Sequence, residues 1–128
     1  MKKKMIVAVL GASDKPARYS NKAVRELVAH GYDVIPIHPS LSAVEGIPVV
    51  RGMNGIDGEV DALSVYVRPD ISGNLADEII RLAPKTAIFN PGTENPDLEG
   101  RLSEAGIRVA HACTVTTLRT GTFASLIR

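Results

Sequence analysis

VLGASDKPARYSNKAVREL, residues 9–27, joins an apolar run to a helix through a long loop. Residues 5–10 are continuously apolar, as expected for a β-strand that is covered on both faces. Gly11 then allows a sharp turn, and Ser20 is a candidate N-cap for a helix with one apolar stripe. This strand, loop and helix predict the first unit of an α/β fold.

The same alternation of strand-like and helix-like segments continues along the chain. Further strands are predicted over residues 33–37, 61–67, 86–89 and 107–110. Asp70 and Asn95 are candidate N-caps, and residues 47–50 with Pro48 predict a short extra edge strand. Right-handed crossovers predict a Rossmann-like, doubly wound, mainly parallel five-stranded sheet with helices on both faces. The predicted order of the main strands is 3-2-1-4-5.

Length and composition favour a single domain over residues 1–128 that works in the cytoplasm. No apolar run approaches the roughly 20 residues that span a membrane. The basic start, residues 1–5, precedes an apolar run of only about six residues, which does not resemble an export signal. Cys113 is the only cysteine in the sequence, so an internal disulfide is excluded and a reducing compartment is expected.

Charge and composition also exclude several classes of partner. The 15 Lys and Arg side chains nearly balance the 14 Asp and Glu side chains, which gives no bulk attraction to nucleic acid. Aromatic residues make up 4% of the sequence and Trp is absent, so a base-stacking platform is not expected. The His and Cys residues lack the paired spacing of a zinc site. We therefore predict no metal, no nucleic acid and no membrane.

The loops that follow parallel strands form the predicted site, because ligands of open α/β sheets bind at the carboxyl ends of the strands. The first such loop opens with Gly11. The helix after it offers free N–H groups and a partial positive charge to an anion. Lys15 and Arg18 add charge in a loop that is longer than the G-x-G-x-x-G turn of dinucleotide-binding domains. This loop predicts a phosphate site.

Three further loops lie at the same predicted edge. His38 stands where an NAD-binding domain has an acid for the ribose hydroxyls, which disfavours NAD and permits a further phosphate near the ribose. A simple cap of the strand explains His38 equally well. Residues 65–67 form an apolar lip for an adenine, where Arg68 can stack or pair with phosphate. Residues 90–95 predict either a second anion site or a plain turn before a helix.

A nucleophilic alternative involves the end of the last predicted strand. His111 and Cys113 are two residues apart and would point the same way, so a thiolate–imidazole pair is one hypothesis. The sequence shows no third group that would orient them. A lone cysteine is more often a small buried hydrophobic residue. No catalytic residue is therefore predicted.

Taken together, these segments resemble the CoA-binding protein family, small relatives of the CoA-binding domain of the succinyl-CoA synthetase α subunit and of NDP-forming acyl-CoA synthetases. The resemblance covers about residues 5–120 and rests on VLGASDKPARYSNKAVREL, HGYDVIPIHP, VDALSVYVRP, TAIFNPGTEN and EAGIRVAHACT. It implies a Rossmann-type fold that binds coenzyme A. The synthetases carry their phosphorylated histidine in a different domain, so the resemblance does not imply synthetase chemistry.

The resemblance also implies a role for individual residues. The implied pyrophosphate cradle consists of Gly11, Ala12 and Ser13. Additional phosphate contacts are implied for Lys15, Arg18, Ser20 and Asn21. The residues implied at the adenosine end and along the nucleotide are His38, Pro39, Val67, Arg68 and Pro69. The residues implied to face the pantetheine arm are Asn90, Pro91 and Gly92.

Four functions remain open from the sequence. The prediction carried forward is a non-catalytic module that binds CoA or acyl-CoA and sequesters it, senses it or donates it to an unidentified protein partner. An NAD(P)-binding redox or sensor domain is the first alternative. The others are an enzyme that uses Cys113 to exchange acyl or disulfide groups with CoA, and an interaction subunit whose cleft is vestigial.

Overall fold

A computed structural model describes residues 4–128, so most of the predicted basic start, residues 1–3, lies outside the described residues. The strands along the chain are β1 (Ile6–Leu10), β2 (Asp33–Ile37), β3 (Ala43–Val44), β4 (Ile47–Pro48), β5 (Ala62–Val65), β6 (Thr86–Phe89) and β7 (Arg108–His111). Five of them form a parallel sheet in the order β2-β1-β5-β6-β7, and β3 pairs with β4 in a small antiparallel hairpin. The predicted α/β class and parallel sheet are confirmed.

Helices cover both faces of this sheet, as predicted. They are α1 (Tyr19–Ala29), α2 (Pro69–Ser72), α3 (Ala76–Leu82), α4 (Pro96–Glu104), α5 (Thr114–Thr120) and α6 (Phe123–Ile127). Side chains of β1 alternate between the two faces: Val7 and Val9 pack with α1, α5 and α6, and Ala8 and Leu10 pack with α3 and α4. None of the helices within residues 4–128 has the length and apolar character needed to cross a bilayer.

The predicted strand order, 3-2-1-4-5, is wrong in one respect. The third main strand, β5, lies between β1 and β6, whereas the prediction placed it outside β2. Pro36 explains why β2 is an edge strand. Its carbonyl points away from β1 and accepts a hydrogen bond from the Val50 N–H at 3.0 Å. Proline has no N–H to donate on that side, so a further strand could not form a complete set of hydrogen bonds with β2. The predicted extra edge strand is reduced to β4 and a single parallel bridge between Ile37 and Val50.

Two predicted helix starts are also corrected. Arg18, not Ser20, is the N-cap of α1, because the Arg18 N–H bonds to the Lys15 carbonyl and turns the chain into the helix earlier. Pro69 occupies the first turn of α2, a position that its fixed φ favours, so Asp70 lies inside the helix and does not cap it. The predicted Asn95 cap is confirmed, since its side chain accepts the Leu98 N–H at 3.3 Å.

Candidate functional site

A cavity of about 810 Å³ opens at the carboxyl ends of β1, β2 and β5. The order of the strands reverses between β1 and β5, which makes this the crevice where ligands of open α/β sheets bind. Its volume lies within the range of about 300–1,000 Å³ that is typical of small-molecule sites. The predicted crevice, between the first and fourth main strands, is therefore displaced by one strand.

Gly11 makes the close approach of the first loop to β5 possible. Its backbone is left-handed, with φ of +86°, and a Cβ atom there would lie 2.8 Å from the Val67 Cγ1 atom. The N–H groups of Gly11 and Ala12 both donate to the Ile37 carbonyl at 3.1 Å. A glycine is required because the backbone needs a positive φ and because no space remains for a side chain.

The start of α1 forms one wall of the cavity. The first hydrogen bond of this helix joins the Lys22 N–H to the Arg18 carbonyl, so the N–H groups of Tyr19, Ser20 and Asn21 have no partner within the helix. Within the described residues, no side chain caps this end. The first turn therefore presents N–H donors and the positive end of the helix dipole next to the cavity.

The charged side chains around the cavity are mainly basic. Its wall contains Lys15, Arg18 and Arg68, and one carboxylate, that of Asp14. The Arg68 guanidinium pairs with the exposed Asp70 carboxylate at 3.3 Å. Because the whole chain has a formal charge of only +1, this is a local concentration of positive charge. It favours an anion.

His38 shapes the second loop and lines the cavity. Its Nδ1 atom accepts the N–H groups of Ser40 and Leu41 at 3.0 and 3.1 Å. Two backbone donors at Nδ1 fix the tautomer in which Nε2 bears the proton. The imidazole therefore caps the loop after β2, and this capping leaves its Nε2–H free to bond elsewhere. No carboxylate follows β2 in the described cavity wall.

A smaller, mainly apolar cavity of about 230 Å³ adjoins the first. The two cavities share Gly11, His38, Pro39, Val67 and Ile71. The remaining apolar lining of the smaller one is Leu10, Ile37, Met53 and Leu75. A ligand with a charged part and a flat apolar part therefore finds a matching surface for each.

Tyr66 lines the main cavity beside the end of β5. Its hydroxyl oxygen is buried, and the described residues offer it no hydrogen bond of good geometry. Burial, together with the nearby Cys113 thiol, raises the pKa of Tyr66 well above its ordinary value. Burial therefore widens the range of pH over which the phenol keeps its proton.

Most of the predicted contact residues come together in the main cavity. Its wall contains Gly11, Ala12, Ser13, Lys15, Arg18, Ser20, His38, Pro39, Val67 and Arg68. The predicted residues outside the wall are Asn21, Pro69, Asn90, Pro91 and Gly92. The cavity wall also contains residues that were not predicted from the sequence: Asp14, Tyr19, Leu41 and Ile71. Only their positions beside the predicted loop residues could have indicated them.

Asn90 lies outside the cavity wall and takes part in a buried hydrogen-bond network. Its amide nitrogen donates to the Ser64 hydroxyl at 3.0 Å and to the Val65 carbonyl at 2.9 Å. Its amide oxygen accepts the Thr114 N–H at 2.8 Å. With 1% of its surface exposed, Asn90 joins β5, β6 and the start of α5 in a buried network.

His111 and Cys113, considered above as a nucleophilic alternative, also lie outside both cavity walls. The His111 Nε2 atom contacts the Glu99 carboxylate, which in turn accepts the Asn95 N–H at 2.7 Å. Cys113 is half-buried and is the N-cap residue of α5, where its side chain forms no capping hydrogen bond within the described chain.

The fold and the site define a Rossmann-like α/β protein with a basic cavity at the switch point of its sheet. The chain belongs to the CoA binding domain family, whose model matches residues 6–119. This family membership confirms the resemblance stated from the sequence.

Individual proteins are also similar to this chain. A curated relative is 29% identical over 116 residues: the uncharacterised protein YneT of Bacillus subtilis, with 84% of this chain and 86% of that protein covered. The crystal structure of an uncharacterised protein is 36% identical, with a TM-score of 0.88, and the match covers 95% of this chain and all of that one. A dinucleotide-forming acetyl-coenzyme A synthetase of Ca. Korarchaeum cryptofilum shares the fold at 24% identity and a TM-score of 0.71; the match covers 81% of this chain and 25% of the synthetase.

Proposed function

We propose that this protein binds coenzyme A, free or acylated, across the two adjoining cavities as a non-catalytic module. In this proposal the pyrophosphate lies against residues 11–13 and the start of α1, with Lys15 and Arg18 pairing with its charge. The module would sequester the ligand, sense it or donate it to a protein partner. Membership in the CoA binding domain family supports the choice of ligand.

One observation supports the phosphate part of this proposal above all others. Among residues 4–128, no side chain caps the first turn of α1, and this turn lies in the cavity wall beside Lys15 and Arg18. Uncapped N–H groups, a helix dipole and two cations are the groups that bind phosphate in proteins. A plain surface loop does not require this combination, because a Ser or Asp cap would satisfy the same helix end.

The smaller cavity supports a position for the adenine. Its Leu10, Ile37 and Met53 side chains offer apolar surface to a flat ring, and His38 offers its Nε2 proton beside it. In the proposed pose the pantetheine arm extends past the exposed loop of Pro91 and Gly92. The carboxylate that would hold the ribose of NAD is missing after β2, which disfavours that cofactor.

Removal of one cation tests the phosphate assignment. We expect Arg18→Ala to raise the Kd for CoA about tenfold, because a charge-assisted contact with phosphate contributes about 1.5 kcal/mol or more. The affinity of the variant should also depend less on salt than that of the wild type, since one screened ion pair is gone. Isothermal titration at two salt concentrations measures both effects.

Arg101→Ala is the matched control, because it removes the same charge from α4, outside the cavity wall. Its Kd for CoA should stay within about twofold of the wild-type value, as expected for a distant surface charge. If Arg18→Ala and Arg101→Ala bind CoA equally well, Arg18 does not contact the ligand.

A further inference from the structure

The turn of the β3–β4 hairpin contains a residue in an unfavourable backbone conformation. Glu45 has φ of +49° and is followed by Gly46 with φ of +77°. A two-residue hairpin turn with both residues left-handed favours Asn-Gly or Gly-Gly, and glutamate is a poor choice for the first position. In the described part of the chain, Ala83 is the only other non-glycine residue with a positive φ. We therefore expect the contacts of the Glu45 side chain to compensate for this backbone conformation.

The Glu45 side chain reaches the base of the first loop. Its Oε2 atom accepts a hydrogen bond from the Asn21 amide nitrogen at 3.0 Å. The same nitrogen donates to the Ser13 carbonyl at 2.9 Å. Glu45 itself is exposed, whereas Asn21 is completely buried. The hairpin turn is thus connected through one buried amide to a residue of the cavity wall.

A second charged side chain holds the other end of this amide. The Arg25 Nε–H donates to the Asn21 Oδ1 atom at 2.8 Å, and an Arg25 terminal nitrogen donates to the Pro16 carbonyl at 2.8 Å. A carboxylate can only accept and a guanidinium can only donate. Glu45 and Arg25 together therefore allow one orientation of the Asn21 amide, with its donor atom directed to Ser13.

This orientation determines how the first loop presents its backbone. Because the Ser13 carbonyl is bonded to Asn21, the trans peptide directs the Asp14 N–H to the opposite side. Ser13 and Asp14 both belong to the cavity wall. Asn21, which the resemblance assigns to phosphate contact, thus acts in the structure on the loop itself.

We propose that Glu45 is a positioning residue that holds residues 13–16 in the shape that receives the ligand's phosphates. This inference rests on the proposed CoA binding. A carboxylate near an anion site is electrostatically unfavourable, and the left-handed backbone of Glu45 is a second cost. The hydrogen bond to Asn21 compensates for these costs and also orders the loop that the ligand would contact.

Two substitutions separate the effect of the Glu45 hydrogen bond from the effect of the turn conformation. Glu45→Asn suits the left-handed turn but is too short to reach Asn21. Glu45→Gln keeps the length and an acceptor oxygen, and it keeps the backbone cost. We expect Glu45→Asn to raise the Kd for CoA about fivefold to tenfold, which corresponds to the loss of one hydrogen bond. Its Tm should be unchanged or higher, because asparagine favours the left-handed turn. Glu45→Gln should bind within about twofold of the wild type.

Amide hydrogen exchange provides a readout that needs no ligand. The N–H groups of Lys15 and Arg18 are hydrogen-bonded within the loop, to the Ser13 hydroxyl and the Lys15 carbonyl. Both should exchange faster in Glu45→Asn than in Glu45→Gln or the wild type. Equal exchange in all three proteins overturns the inference, as does equal loss of CoA affinity in the two variants. If the wild type itself does not bind CoA, the proposed function fails, and the exchange comparison still decides the role of Glu45.

Discussion

Gly11→Ala is expected to lower the free energy of unfolding by about 2–4 kcal/mol and to reduce CoA binding at least tenfold. About 1–2 kcal/mol of this comes from a left-handed backbone that alanine disfavours, and the rest comes from overpacking. The new Cβ atom would lie 2.8 Å from the Val67 Cγ1 atom and 3.3 Å from the Tyr66 carbonyl carbon. The loop would have to move away from β5, and the cavity would change its shape. Urea denaturation and titration with CoA measure the two effects.

Gly58→Ala separates the backbone contribution from the clash. Gly58 has φ of +91°, and a Cβ atom there meets nothing within 4 Å. We expect this control to lose only about 1–2 kcal/mol and to keep its affinity for CoA. If both variants lose the same stability, the contact between Gly11 and Val67 does not restrict the loop.

Asn90→Ala is expected to destabilise the protein by about 3 kcal/mol. The substitution leaves the buried Thr114 N–H without its acceptor, and an unsatisfied buried group costs about 1–3 kcal/mol. It also removes the hydrogen bonds from the Asn90 amide to the Val65 carbonyl and to the Ser64 hydroxyl, which keeps its bond to the Thr114 hydroxyl. Chemical denaturation measures this loss. Because Asn90 lies outside the cavity wall, the folded variant should keep its CoA affinity within about threefold, well below the effect of a lost hydrogen bond.

Asn54→Ala is the control for this substitution. Asn54 is exposed and accepts one hydrogen bond from Arg81 at 2.8 Å, so its loss should change stability by less than about 0.5 kcal/mol. A large loss of CoA affinity in Asn90→Ala, with stability unchanged, would contradict the structural role. It would make Asn90 a ligand contact, as the family resemblance implies.

The sequence predicts the fold well where periodicity is strong. Apolar runs of about five residues and helical stripes indicate five strands and the helices between them, and Gly31 marks the end of α1 with φ of +87°. The predicted position of β5, outside β2, was wrong, although Pro36 contained the relevant information. A proline inside a strand indicates an edge strand, so Pro36 places β2 at the edge of the main sheet, as Pro48 indicates an edge for residues 47–50.

The site was predictable as a set of loops and less so residue by residue. Glycine, cations and a helix start predict a phosphate site in the first loop, because these features are local in sequence. The role of Asn21 depends on Glu45 and Arg25, and the hairpin that supplies Glu45 lies more than twenty residues further along the chain. The smaller apolar cavity is lined by residues from several elements, such as Leu10, Met53 and Leu75. These residues are distant in sequence, and they become neighbours only when the strands have the observed order.

Isothermal titration of the wild-type protein with CoA, beside acetyl-CoA, NAD and NADP at one fixed salt concentration, tests the central claim most directly. The proposed function predicts saturable binding of CoA with micromolar affinity and no heat of binding with NAD. An absence of CoA binding would contradict it. In that case, binding of NADP would support a redox or sensor domain, and no binding of any nucleotide would support an interaction subunit with a vestigial cleft.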